Sequence, residues 1–114
     1  MSDCLFCRIA KGSVPSKKVF EDEAIFAFED IAPRAPTHVL IVPKRVIPRL
    51  DETNESDQQL LGRLILTATK VARDLRINES GYRVVINSGP DAGESVPHLH
   101  VHLLGKRALA WPPG

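Results

Sequence analysis

Three of the chain's four histidines stand at alternate positions in Pro97-His98-Leu99-His100-Val101-His102-Leu103-Leu104. If this run is extended, His98, His100 and His102 share one face while Leu99, Val101 and Leu103 share the other. At a rise of about 3.3 Å per residue, neighbouring imidazoles stand roughly 6 to 7 Å apart, close enough to surround one tetrahedral anion such as a phosphate. A lone histidine is most often an ordinary core or surface residue. Three in register are different, because packing alone would oblige each ring to find its own hydrogen-bond partner. A metal site is the sharper competitor on spacing, since histidines at i and i+2 on a strand can converge on one zinc ion. Other nucleophile systems lack their motifs: Gly93-Glu94-Ser95-Val96-Pro97 has no second glycine for a nucleophile elbow, and neither GxxxxGK[ST] nor GxGxxG occurs. The histidines must therefore act themselves. Neutral imidazole, with an ordinary pKa of about 6.5, is both a competent nucleophile and, once protonated, a good leaving group from phosphorus.

The elements that must position these rings follow from periodicity. Leu5, Phe6 and Ile9 recur at helical spacing within 4–10, and Gly12 suits a C-terminal cap, so a short helix is predicted there. Val19-Phe20-Glu21 and 24–28 flank Asp22-Glu23 as a hairpin, and 38–42 is a third strand ended by Pro43. Ser56 with Gln59 reads as a capping box opening a helix whose apolar stripe is Leu60, Leu64, Ala68, Val71 and Leu75, widened by Leu61, Ile65 and Ala72. Two further extended runs, 82–87 and 96–104, enclose the turn-rich 88–93. The order of elements predicts an α+β fold.

Length and composition set the bounds. The 114 residues suit a single domain, 1–114, with one modest core. With 43% hydrophobic and 25% charged residues and a formal net charge of +1, the composition is that of an ordinary globular protein, and nothing electrostatic points to nucleic acid. No apolar run approaches a membrane span, and the start MSDCLFCRIAKG lacks a basic segment followed by an apolar signal core, so the expectation is a cytoplasmic protein with no membrane partner. Cys4 and Cys7 are too close together to form a stabilising framework for the whole chain.

The segment Glu94 to Leu104 resembles the His-x-His-x-His signature of the histidine-triad superfamily, closest to its Hint branch. The resemblance extends through Phe28-Glu29-Asp30-Ile31, Ala35-Pro36-Thr37-His38, Gly81-Tyr82-Arg83 and Asn87 to the closing Trp111-Pro112-Pro113-Gly114. It implies a five-stranded antiparallel sheet with two helices, paired into a homodimer whose C-terminal tail approaches the partner's site, so that Trp111 contacts substrate in trans. The implied activity is that of a purine nucleoside 5′-phosphoramidase, which cleaves the P–N bond of an adenosine 5′-phosphoramidate-like substrate without a cofactor. In that pattern His100 attacks phosphorus to form a nucleotidyl-histidine, which water then hydrolyses. His38 buttresses it. His98, His102, Ser95 and Asn87 hold phosphoryl oxygens or the leaving group; Asp30 accepts from the ribose hydroxyls; Phe6, Ile9, Phe28 and Ile31 form the purine slot.

The sequence departs from that pattern in places. Many bacterial members with an N-terminal CxxC bind zinc through both cysteines, the first triad histidine and a histidine where this chain has Val46, so no bound metal is expected. Glu94 and Pro97 replace the commoner glutamine and aromatic residue, altering the rim on the leaving-group side. Two alternatives stand beside the phosphoramidase: a nucleotide-binding or scaffolding module with incidental catalysis, and a dinucleoside polyphosphate hydrolase, which the Trp111 to Gly114 tail disfavours.

Overall fold

The computed structural model describes residues 5–114. Its elements run α1 (Leu5–Ala10), β1 (Lys18–Glu21), β2 (Ile25–Glu29), β3 (Thr37–Pro43), α2 (Gln58–Asp74), β4 (Tyr82–Val85) and β5 (Val101–Gly105). The strands form one five-stranded sheet in the order β1-β2-β3-β5-β4, antiparallel at every pairing. The predicted α+β class and five-stranded antiparallel sheet with two helices are thus the observed architecture.

Alternation along the central strands serves two cores, one on each face of the sheet. Ile25 and Ala27 of β2, Val39 and Ile41 of β3, and Val101 and Leu103 of β5 pack against Leu64, Ala68, Val71 and Ala72 of α2. On the opposite face Phe26, Phe28, Leu40 and Val42 pack against Phe6 and Ile9 of α1. Both faces being covered, β2 and β3 read as nearly continuous apolar runs, and each large side chain removed from water stabilises the fold by about 1.5–3 kcal/mol. The second face is the one that carries the site: Leu40 pairs directly with His102, and His38 lies two residues before Leu40 on the same side of β3.

Several boundaries differ from the sequence reading. The first helix is described from Leu5, and Cys4 lies outside the described residues. The capping box sits two residues before the predicted one. The Asn54 side chain accepts from Ser56 N–H, the Asp57 carboxylate accepts from Asn54 N–H, and the short 3-10 turn Glu55–Asp57 leads into α2. Asn54 wins because its amide oxygen reaches the first free amides of the turn, while the Ser56 hydroxyl is spent on Asn54 Oδ1. Ile65 does not widen the buried stripe; it is exposed, as is Leu66 beside it. The predicted run 82–87 is strand only through Val85, and 96–104 only from Val101. Pro97 has no N–H to give a ladder, while His98 N–H and Leu99 N–H are taken by the carbonyls of Val96 and Ile47.

Asp22 fixes the first hairpin against α2. Its carboxylate accepts from the amides of Ala24 and Ile25, both at 2.8 Å, and pairs with Arg63 at 2.6 Å. At the far end of β5 the constraint is steric. A Cβ on Gly105 would lie 2.8 Å from Cδ1 and 3.3 Å from Cβ of the fully buried Ile77. Gly105→Ala should therefore lower the unfolding free energy by about 1–3 kcal/mol, the usual cost of overpacking. A denaturant titration checks this; an unchanged midpoint would mean that Ile77 gives way freely.

Candidate active site

His38 and His102 come from adjacent antiparallel strands, and Arg34 comes from the loop entering β3. Arg34 N–H donates to His38 Nδ1 at 3.0 Å, and a backbone amide can only donate. His38 Nδ1 must therefore carry a lone pair and Nε2 the proton. Nε2–H donates to His102 Nδ1 at 2.9 Å, which in turn places the proton of His102 on its own Nε2. One main-chain donor thus sets two tautomers. Burial pushes both rings toward the neutral form: His102 is lowered to about 4, chiefly by burial and then by His100 and His38, and His38 is also lowered, against the opposing pull of Asp30.

His100 is fixed independently. Its Nδ1–H donates to the His98 carbonyl at 2.7 Å, so in the neutral ring the lone pair lies on Nε2, and no hydrogen bond engages Nε2 among the described residues. The Phe6 ring meets His100 edge-on at 5.0 Å, and the centroid of the His102 ring stands 4.9 Å from that of His100. The result is a buried imidazole of defined tautomer and orientation with its basic nitrogen unoccupied.

A cavity of about 440 Å³ opens in front of these rings. It is lined by Phe6, Ile9, Phe28, Asp30, Ile31, Ser95, His100 and His102, all of them sequence candidates. Ile31 sits at its rim, 96% exposed. Asp30 Oδ1 accepts from Ala32 N–H at 2.8 Å, and Oδ2 lies 3.4 Å from His38 Nε2. Other candidates stand elsewhere. His38 is buried behind His102 and does not line the cavity; half-buried Asn87 does not line it either. Trp111 is 81% exposed, on a tail that Arg83 holds through the carbonyls of Leu109 and Ala110.

His98 departs furthest from expectation. It does not share a strand face with His102, because strand geometry begins only at Val101, one residue after His100. Its ring is buried away from the cavity: Nε2–H donates to the Pro43 carbonyl at 2.8 Å and Nδ1 lies 3.6 Å from Cys7 Sγ. It ties α1 to the end of β3 and supplies, through its carbonyl, the acceptor that orients His100. Of the zinc set implied by resemblance, position 46 holds an exposed valine with no ligand atom, so the set falls one protein ligand short of a closed tetrahedral site; Cys4 lies outside the described residues. Asp30, His38 and His102 do offer three ligand atoms within 4.8 Å, but the two rings are already spent on each other.

The cavity also takes in Leu5, Val14, Pro15, Ser16, Lys17, Glu29, Leu40 and Val96, which the sequence reading did not assign to the site. Strand alternation could have found Leu40, two residues beyond His38. Nothing local marks 14–17, a connection whose role arises from packing beside β2 and α1.

A family model described as HIT domain matches residues 11–109. The chain belongs to this family. It is 48% identical, over 98% of this chain and 97% of the relative, to an uncharacterised HIT-like protein of Synechococcus elongatus. A similar match, 45% identical over the same shares, is an uncharacterised HIT-like protein of Synechocystis. Among solved structures, a HIT family hydrolase from Legionella pneumophila superposes with a TM-score of 0.96 at 47% identity, covering 98% of this chain and 100% of that one. A histidine triad protein from Clostridium difficile gives 0.92 at 37% identity, covering 96% of each. No helix among the described residues of this HIT chain is long and apolar enough to cross a membrane.

The depressed histidines make stability depend on pH. As pH falls below about 6.5 the unfolded chain takes up protons that folded His102 refuses until about 4, so stability present above 6.5 is lost across that window. The melting temperature should fall from pH 6.5 to 4.5, and His102→Gln should flatten the fall; parallel slopes in the two proteins would refute the buried neutral ring.

Proposed function

We propose that this HIT protein is a hydrolase of purine nucleoside 5′-phosphoramidates, working through a covalent nucleotidyl-histidine on His100. The observation that carries this reading is the unengaged Nε2 lone pair of His100, facing a cavity that also holds His102, Ser95, Asp30 and the aromatic rings of Phe6 and Phe28. The names of the Legionella hydrolase and of a histidine triad nucleotide-binding protein from Candida albicans, 33% identical with a TM-score of 0.85, agree with it.

His100 Nε2 attacks phosphorus as the P–N bond breaks, and the amine departs after taking a proton from solvent. The product is an imidazolium bearing the nucleotide. Water then attacks phosphorus, the Nε2–P bond breaks, and a proton returns to solvent, leaving a nucleoside monophosphate and neutral His100. Two easier displacements replace one hard one. The His102 Nε2–H and the Ser95 hydroxyl are donors for the phosphoryl oxygens, where charge must be held during in-line transfer. Asp30 is an acceptor suited to the ribose diol, and Phe6, Ile9, Phe28 and Ile31 cover the purine. The buttress role falls to His38, and that of His98 is to orient His100 by its carbonyl rather than to touch phosphate.

Incubation with adenosine 5′-phosphoramidate should release AMP in the presence of a chelator and leave an AMP-sized adduct on the intact protein. His100→Ala should lose turnover by at least about a thousandfold while still binding AMP. Binding without turnover in the unaltered protein would favour a nucleotide-binding module, and turnover that survives His100→Ala would end the covalent mechanism.

A homodimer belongs to the same proposal, supported by the apolar side chains of Leu66 and Trp111 left 67% and 81% exposed. Light scattering should give about twice the 12.6 kDa chain mass, and a monomer at micromolar concentration would exclude action of Trp111 in trans.

A further inference from the structure

The segment that delivers Ser95 and Val96 to the cavity is clamped from outside by 43–49. Leu99 N–H donates to the Ile47 carbonyl, and His98 Nε2–H to that of Pro43. The third tie is ionic: Arg49 Nε and Nη2 make a two-pronged pair with the Glu94 carboxylate at 2.9 and 3.0 Å. Glu94 is nearly buried, and its Oε1 also accepts from Gly89 N–H at 2.8 Å, while Glu94 N–H donates to the Gly89 carbonyl at 3.2 Å. One carboxylate therefore closes the loop 89–94 on itself and fastens it to Arg49. The next residue, Ser95, lines the cavity.

This arrangement leaves a negative charge beside a site that must accept an anion. Three donors absorb it: two from Arg49 and one from Gly89. Arg49 also pairs with Glu52, which keeps the guanidinium side chain in place. Without Arg49, a nearly buried carboxylate would be left with a single donor, a costly state that it escapes by turning toward water and releasing Gly89.

We propose that Arg49 is a positioning residue for the reaction: by neutralising and anchoring Glu94 it closes the loop 89–94, presents Ser95 to the phosphoryl group and removes the carboxylate's repulsion of the anionic substrate. The inference rests on the phosphoramidase reading for its chemistry, but its structural half is measurable without substrate. Arg49→Ala should raise amide hydrogen exchange at least tenfold at Gly89, whose partner is lost, and raise KM for adenosine 5′-phosphoramidate about tenfold with a smaller change in kcat. The double variant Arg49→Ala/Glu94→Gln should recover most of both effects, because a neutral amide keeps its carbonyl for Gly89 and repels no anion. A merely structural arginine predicts no such recovery. Unchanged Gly89 exchange in Arg49→Ala, or a double variant as impaired as the single one, overturns the proposal, whether or not the unaltered protein turns the substrate over. Absence of turnover in the unaltered protein counts against the phosphoramidase reading alone.

Discussion

The hydrogen bond from the Arg34 amide to His38 Nδ1 governs the protonation pattern of the site. Because that donor cannot become an acceptor, the proton of His38 is forced onto Nε2, and the proton of His102 follows onto its own Nε2. The chain works only while both rings are neutral: a second proton between His38 Nε2 and His102 Nδ1 would set two donors against each other. Burial supplies that neutrality, since taking an imidazolium out of water is costly, and it outweighs the nearby Asp30 carboxylate.

His100 is held by a different device, and the contrast is informative. Its orienting acceptor is a carbonyl two residues back in its own chain, so its tautomer depends on the turn 96–100 rather than on a neighbouring strand. That turn is maintained in turn by 43–49, through two main-chain carbonyls and one partly buried ion pair. The site is thus assembled from a rigid part, the paired β3 and β5, and a clamped part, the approach to β5. Surface ion pairs contribute little to stability as a class. Arg49 with Glu94 differs because the pair is two-pronged, largely withdrawn from water and joined to a main-chain amide.

Covering both faces of the sheet has a functional consequence. The buried side chains of the α2 face are all aliphatic, with Phe20 and Tyr82 packed against them, whereas the α1 face is covered over only part of its extent, by a helix of six residues. What α1 leaves open is the cavity. Phe6 belongs to both worlds, packing on Phe28 at 5.6 Å and meeting His100 at 5.0 Å, so the apolar core and the chemistry share a wall.

Much of this was legible in the sequence. The alternation of Leu99, Val101 and Leu103 determined which side of the last strand enters the core, and the stripe through Leu64, Ala68 and Val71 determined α2, because periods of two and 3.6 are direct consequences of backbone geometry. The histidine spacing, together with Asp30 and Ser95, pointed to residues that do share one cavity. Tertiary structure alone decided that His98 faces Pro43 and Cys7 instead of that cavity, that Asn87 stands off it, and that 14–17 line it. Alternation holds only while a strand is paired, and Pro97 with the Ile47 contact ends the pairing before Val101. The pairing of Arg49 with Glu94, 45 residues apart, was equally invisible. Local sequence dictates local geometry, whereas the partner of a charge or a ring nitrogen is set by where distant segments meet.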